Sequence, residues 1–192
     1  MKTSKLFLSA LFCLTLITSC SDDDDPEAVL EEELITNVTL TFVNDADATD
    51  IVVMTSVAPD GQDGASIEDV TGSFTAGATY ALTLSILNAE DPNDPEDVLN
   101  EDIIKEADEH FFTYAVSGGI NLTMSRDGDD IDGADSNKLG VNTTWVAGAV
   151  STGNVQIKLI HLPEGADDSD EFGSVTGGSE DLNITFTSVE IQ

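Results

Sequence analysis

The two histidines of the chain, His110 and His161, are the side chains best suited to bind a transition metal. Glu106 and Glu109 closely precede His110, and Glu164 follows His161. Imidazole nitrogens and carboxylate oxygens form a donor set that Zn²⁺ and Cu²⁺ accept in proteins. If the fold brings both histidines together, they predict a metal site completed by Glu106 and Glu109. The alternative is that each histidine ends a strand and hydrogen-bonds a backbone carbonyl or a carboxylate.

A second candidate site is the segment 127–135, which we call the acidic loop. Ca²⁺ takes about six to eight oxygen ligands, and aspartates spaced around a glycine turn can supply them. The register differs from that of an EF-hand, because Gly128 falls at the first ligand position when Gly133 takes the glycine position. The candidate calcium ligands are Asp127, Asp129, Asp130, Asp132 and Asp135. The alternative is a solvated tip between two strands.

Enzymatic motifs are missing from the sequence. It contains no His-Glu-x-x-His pair, nucleophile elbow, phosphate-binding loop or dinucleotide fingerprint. A carboxylate pair that acts on a glycoside is the remaining enzymatic alternative. Sugar clefts use aromatic platforms, however, and the chain has one Trp and two Tyr. We therefore predict that the protein is not an enzyme and requires no cofactor, with Zn²⁺, Cu²⁺ and Ca²⁺ as candidate ligands.

The charge of the chain excludes one class of partner. It has 38 Asp and Glu against 6 Lys and Arg, for a formal net charge of −32. Binding to nucleic acid by phosphate neutralisation needs clustered Lys and Arg, so no nucleic-acid partner is expected. Hydrophobic residues still make up 40% of the chain, enough to bury a core.

The candidate metal-binding residues lie within or between segments in which apolar and polar residues alternate. Such a period of two indicates strands with one buried and one solvated face. Turn residues such as Pro, Gly and Asp separate these segments at short intervals, which predicts an all-β, antiparallel sandwich of two sheets and about eight strands. The segments are 38–42, 51–54, 80–86, 110–116, 120–124, 139–145, 155–161 and 182–186. The run 51–54 is continuously apolar and predicts a more central strand.

Several local features refine this prediction. His110 and His161 share the parity of the apolar residues in their segments, so both should point inward at strand ends. Trp145 also has inward parity and should lie in the core. The segment Ala76–Tyr80 resembles the tyrosine corner of immunoglobulin-like sandwiches. A change of parity after Phe186 predicts a bulge near 187–188, and the apolar spacing over 98–108 fits a short helix.

The first residues have the pattern of an export signal. Two lysines precede an apolar run of about a dozen residues, which is too short to span a bilayer. The run ends in Ile17-Thr18-Ser19-Cys20, which looks like a bacterial lipobox. We therefore predict a lipoprotein signal peptide over 1–19, a lipidated Cys20 with an acidic tether over 20–33, and a single domain over 34–192. The remaining cysteine is removed with the signal peptide, so no disulfide is expected.

The chain as a whole resembles a group of small flavobacterial outer-membrane lipoproteins of the Bacteroidetes. This group is often described as "type 1 periplasmic binding fold superfamily protein", although the strands here predict a β-sandwich. The resemblance rests on Ser19–Asp24, Glu31–Thr36, Gly77–Leu87, Glu106–His110 and His161–Pro163. It implies a lipid-anchored protein of the outer membrane that accompanies a TonB-dependent receptor, with the cell surface and the periplasmic face as the two alternative locations. It also implies that the two histidines are the residues to test first.

Together these observations predict a binding or accessory module at the outer membrane, with a solute, a cation or a TonB-dependent receptor as its partner. The alternative is a structural envelope lipoprotein without a small-molecule ligand.

Overall fold

The alternating segments form antiparallel strands, as the sequence predicts. The structure is a computed structural model that describes residues 33–61 and 64–192, and these residues form one compact unit. Within them the chain forms eleven strands. They are β1 (Asn37–Asn44), β2 (Asp47–Val57), β3 (Ile67–Thr71), β4 (Thr79–Leu87), β5 (His110–Ser117), β6 (Leu122–Arg126), β7 (Thr143–Ala147), β8 (Ser151–His161), β9 (Gly165–Asp167), β10 (Ser174–Thr176) and β11 (Ser179–Ile191).

The strands build a sandwich of two main sheets. A six-stranded sheet has the order β3-β2-β1-β4-β7-β6, and a three-stranded sheet has the order β11-β8-β5. A small third sheet pairs β9 with β10. The predicted all-β sandwich is therefore confirmed.

The core lies between the inner faces of the two main sheets. In β1, Val38, Leu40 and Phe42 are buried, and the residues between them face outward. Trp145 is fully buried, as predicted, and contacts Phe42 and Tyr114 edge-to-face at centroid distances of 5.5 and 5.6 Å. Edge-to-face geometry is favourable for aromatic pairs. Because Tyr114 belongs to the three-stranded sheet, this contact joins the two sheets.

Strand β11 makes a different contact at each of its two ends. At its C-terminal end, Phe74 pairs with Ile191 through backbone hydrogen bonds from Phe74 to Glu190 and from Gln192 to Phe74. This contact ties the segment after β3 to the three-stranded sheet. The other end of β11 lies beside the last residue of β8, His161.

The segment 98–108 is helical, but as two short pieces. A π-helical turn spans Leu99–Ile103, and a 3₁₀ turn spans Ala107–Glu109. The first turn is held by a hydrogen bond from the Ile104 amide to the Leu99 carbonyl, and it buries Leu99 and Ile103. These buried side chains fix the short segment that leads into β5.

Some strand predictions are wrong in detail. The sequence did not predict three strands, β3, β9 and β10. Strand β3 is exposed along almost its whole length, so it has no buried face to impose alternation, and β9 and β10 have three residues each, too few to show a period. The segment Ile51–Met54 belongs to β2, an interior strand between β3 and β1, but its burial alternates and Ile51 is 41% exposed. The strand predicted at 139–145 begins only at Thr143.

Two finer predictions agree with the structure. The pairing register of β11 shifts between Phe186 and Val189, at the predicted bulge. The Tyr80 hydroxyl accepts a hydrogen bond from the Thr75 amide and donates one to Asp50, both at 2.7 Å. A tyrosine that reaches back to upstream backbone is the defining contact of a tyrosine corner.

Candidate metal centre

His110 and His161 lie side by side at one end of the three-stranded sheet. His110 is the first residue of β5, His161 is the last residue of β8, and the two are direct partners across the strands. Their rings stack with a centroid distance of 4.9 Å and an interplanar angle of 15°. The antiparallel register produces this contact, because it places the start of one strand against the end of the other. Both side chains point inward, as their parity predicts.

Asp181 joins the histidines through a β-bulge. Glu180 pairs with Ile160 and Leu182 pairs with Leu159, so Asp181 is an extra residue in β11 without a ladder partner on β8. A bulge redirects a side chain relative to the regular alternation. Here it turns two consecutive side chains, Asp181 and Leu182, into the interior.

Glu33 reaches the same place from the segment just before β1. Its Oε1 lies 2.7 Å from His110 Nε2. Because β1 belongs to the six-stranded sheet, Glu33 brings a group from the opposite side of the sandwich. We call Glu33, His110, His161 and Asp181 the His–carboxylate cluster.

One ligand atom from each member of the His–carboxylate cluster lies within 4.8 Å of the others. In residues 33–61 and 64–192, no other set of three or more His, Cys, Asp and Glu side chains meets this spacing. The cluster is nearly closed to solvent: His110 is 0% exposed, His161 5%, and Glu33 and Asp181 9% each. Two imidazoles and two carboxylates match the four-ligand, N/O donor set of Zn²⁺.

The two histidines are oriented from behind by other groups. His110 Nδ1 lies 2.9 Å from the Glu106 carbonyl, so it carries the proton and leaves Nε2 directed at Glu33. His161 Nε2 lies 3.4 Å from Glu109 Oε2, whereas its Nδ1 has no hydrogen-bond partner in the described part of the chain. We therefore assign Nδ1 of His161 as its available ligand atom. Metal-binding histidines commonly donate their other N–H to a carbonyl or a carboxylate in this way.

The charges of Glu33 and His110 stabilise each other. Burial opposes the ionisation of Glu33, but hydrogen bonds with His110 and Asp181 and the charge of His110 outweigh it and lower the pKa of Glu33 to about 2. Burial likewise disfavours the protonated His110, yet the hydrogen bond and charge of Glu33 and the Glu106 carbonyl raise the pKa of His110. Without a metal, the two groups therefore form an ion pair at pH values between the lowered pKa of Glu33 and the raised pKa of His110.

The sequence identified only half of the His–carboxylate cluster. The side chain of Glu106 is exposed and only its carbonyl contacts His110, while the Glu109 carboxylate stands behind His161. Glu164 is exposed and lies outside the cluster. Asp181 left no sequence signal, because it shares the polar parity of Asn183 and Thr185. Glu33 left none, because it ends a run of three glutamates.

The carboxylates of the acidic loop do not converge on one point, because they bond different partners. Buried Asp130 accepts four backbone N–H groups, those of residues 131, 140, 141 and 142. Asp127 accepts from the Thr144 hydroxyl, Asp132 pairs with Lys138 at 2.8 Å, and Asp135 accepts from the Ala166 amide. Asp129 is exposed. Four of the five candidate carboxylates thus already have partners within the protein, and calcium binding stays a prediction.

The predicted signal peptide over 1–19, the lipidation site Cys20 and the tether up to residue 32 lie outside the described residues. Among the residues that the structure describes, no helix is long and apolar enough to cross a membrane.

Comparison of the chain with protein-family models, with curated proteins and with solved structures found no significant match.

Proposed function

We propose that this protein is a lipid-anchored module of the outer membrane that binds a divalent transition metal, with Zn²⁺ as the best-fitting ion, in the His–carboxylate cluster. The observation that carries the proposal is the convergence of four buried ligand groups from four distant segments. Burying two histidines and two carboxylates together is costly unless they are paired or bind a metal. His161 Nδ1, which is buried without a hydrogen-bond partner among the described residues, supports the second case.

The donor chemistry selects the class of ion. Two nitrogen and two carboxylate donors suit Zn²⁺ and Cu²⁺, whereas Ca²⁺ requires more oxygen ligands than the cluster offers. Four protein ligands also complete a tetrahedral shell, which is typical of sites that hold a metal and not of sites that use it for hydrolysis. We therefore propose a holding role and no catalytic activity.

The location is proposed from the N-terminal sequence. The lipobox-like residues before Cys20 and the acidic run after it support anchoring in the outer membrane, with a TonB-dependent receptor as the proposed partner. A domain with a net charge as negative as this one attracts cations over distances comparable to the Debye length. Such a domain would raise the local concentration of metal ions near its surface.

A structural envelope lipoprotein is the second candidate. It is favoured by the 2.7 Å contact between His110 and Glu33, which pairs two members of the cluster without any metal. In this case the ion pair serves to hold the N-terminal segment of the domain against β5, and metal binding has no role.

Isothermal titration of the metal-free protein, purified in mild detergent, separates the two candidates. We expect one Zn²⁺ to bind per chain and the melting temperature to rise, because a ligand at about 100 times its Kd stabilises the folded state by about 2.7 kcal/mol. Ca²⁺ should have neither effect. No heat and no change in melting temperature at millimolar Zn²⁺ or Cu²⁺ would leave the structural candidate.

Matched variants identify the ligands. The His110→Ala/His161→Ala variant and the milder Asp181→Asn should lose Zn²⁺ binding. Asp132→Asn/Asp135→Asn removes two charges from the acidic loop and should bind Zn²⁺ like the wild type. The reverse pattern would move the site to the acidic loop.

A further inference from the structure

The ligands of the His–carboxylate cluster are so deeply buried that an ion needs a route to reach them. The 3₁₀ turn Ala107–Glu109 directly precedes His110. The Glu106 carbonyl, just before this turn, accepts a hydrogen bond from the Nδ1–H group of His110. The least buried members are the two carboxylates, Glu33 and Asp181.

A cleft lies next to Asp181, between the start of β1, the end of β2 and the start of β11. Its volume is about 160 Å³, and its walls include Thr36, Ser56, Ser66 and Asn183. We call it the β1–β11 cleft. Asp181 is the single member of the cluster that lines it within the described residues, and its two carboxylate oxygens are shielded from solvent, so the carboxylate lies just behind the wall of the cleft. A larger hollow of about 540 Å³, between residues 57–61 and 89–92, contains no cluster residue.

The lining of the β1–β11 cleft favours a small cation. Its polar groups are hydroxyls and an amide, and Asp181 is the charged side chain among its described lining residues. A second carboxylate stands close by, because Glu68 Oε1 accepts hydrogen bonds from the hydroxyls of Ser56 and Ser66. Oxygen donors of this kind can replace the water molecules of a hydrated ion one at a time, and carboxylates near a narrow opening concentrate cations.

The size of the cleft limits what can pass. A cavity needs about 10–15 Å³ of such volume to hold one water molecule, so the cleft has room for several of them. Pockets that enclose a drug-sized organic ligand measure about 300–1,000 Å³. An ion with part of its water shell therefore fits, and an ion wrapped in an organic chelator does not.

We propose that the β1–β11 cleft is the access route to the metal site, that Asp181 is the first ligand the ion meets, and that the cleft admits the hydrated ion and not its organic chelates. The inference rests on the proposed metal-binding function and specifies how that site is loaded.

The test is a pair of tryptophan substitutions at neighbouring residues. Ser66 is exposed and lines the cleft, whereas Ile67 is 64% exposed and does not line it. Ser66→Trp should therefore narrow the opening, and Ile67→Trp should leave it unchanged. Co²⁺ is a suitable probe because its visible absorption bands report coordination directly, so stopped-flow mixing gives the association rate constant.

We expect Ser66→Trp to slow Co²⁺ association by about tenfold or more. Dissociation should slow in parallel, so that the Kd stays that of the wild type. Asn183→Trp, on the opposite wall, should do the same and covers the case in which Ser66→Trp folds poorly. The access route would be overturned if Ser66→Trp and Asn183→Trp both bound Co²⁺ at the wild-type rate. It would also be overturned if Ile67→Trp slowed Co²⁺ association as much as they do.

A second arm tests the form of the ion. When Co²⁺ is supplied as its nitrilotriacetate complex, the rate should follow the concentration of free ion alone. A rate that rises with the concentration of the complex at constant free Co²⁺ would overturn the exclusion of chelates. If the wild type binds no metal at all, the proposed function fails together with this inference. If the wild type binds metal and the Ser66→Trp and Asn183→Trp variants associate with Co²⁺ at the wild-type rate, only the access route is contradicted.

Discussion

The His–carboxylate cluster and the acidic loop are both candidate cation sites in the sequence, and the fold uses their carboxylates in opposite ways. In the acidic loop, Asp130 is surrounded by backbone N–H groups, and three of the other aspartates each have a partner from their own chain. In the cluster, ligand atoms of four side chains approach within 4.8 Å, and His161 Nδ1 has no partner in the part of the chain described.

This difference shows that many acidic residues close together in the sequence are not the same as several ligand atoms that meet in space. Neighbouring aspartates in a loop find nearby backbone donors, because Asp side chains readily bond N–H groups a few residues away. Residues 33, 110, 161 and 181 can meet only through tertiary structure, and they meet with their polar atoms directed at one another. Convergence of distant residues is therefore the better indicator of a ligand site in this protein.

The largest effect should come from the acidic loop and should concern stability. Asp130→Ala leaves buried backbone N–H groups without an acceptor, and each such loss costs about 1–3 kcal/mol. We expect the free energy of unfolding, measured with urea, to fall by about 3 kcal/mol or more, and the Zn²⁺ affinity of the folded fraction to stay unchanged.

The matched control for this prediction is Asp129→Ala, one residue away and exposed, which should change stability by less than about 0.5 kcal/mol. Equal effects of the two substitutions would contradict a structural role for Asp130. A loss of Zn²⁺ affinity in Asp130→Ala would contradict the distinction between a structural acidic loop and a metal-binding His–carboxylate cluster.

An intermediate effect should come from the two glutamates that precede His110. Glu109→Ala removes the carboxylate behind His161, and the loss of such a partner typically lowers metal affinity by about 10–100-fold. Glu106→Ala keeps the carbonyl that orients His110 and should bind Zn²⁺ with the wild-type Kd. Calorimetric titration of both variants measures the difference.

Glu109→Gln retains an acceptor oxygen and should recover part of the affinity, which a purely electrostatic role of Glu109 would not permit. Equal losses in Glu106→Ala and Glu109→Ala would indicate that both carboxylates act only through their charge.

The smallest effect should be a pH dependence of the metal-free cluster. Because the pKa of His110 is raised, its pairing with Glu33 stabilises the fold fully below about pH 6.5 and is lost as the pH rises through the raised pKa. The lowered pKa of Glu33 means that its contribution is present above about pH 4.5 and is lost as the pH falls toward 2.

Urea unfolding in the presence of EDTA tests this prediction. The stability difference between the wild type and Glu33→Gln should be largest near pH 5–6 and should shrink above the raised pKa of His110. A difference that is constant from pH 5 to pH 9 would show that the pair does not titrate as described. Zn²⁺ affinity should change in the opposite direction and increase with pH, because the metal must displace the proton of His110.

Much of the fold could be read from the order of apolar and polar residues. The period of two predicted the long strands, since a strand with one buried face must alternate. The parity change after Phe186 predicted its bulge for the same reason. The short strands β9 and β10 were missed because three residues cannot display a period.

The site was only partly predictable. Parity placed His110 and His161 on inward-facing positions at strand ends, but their contact depends on the register of β5 against β8. The prediction of Glu106 and Glu109 as ligands relied on nearness in sequence. Nearness along the chain put these residues behind the imidazoles, where they orient the ligands instead of joining them.

The sequence by itself determined the strand character of the domain, the inward positions of the alternating apolar residues and the presence of two imidazoles, because these depend on composition and local alternation. Only the tertiary structure decided which carboxylates accompany the imidazoles. Asp181 turns inward because a bulge adds one residue to β11, and Glu33 arrives from the opposite sheet. Both depend on how distant segments align, and alignment between segments is a property of the packed sandwich that no local pattern encodes.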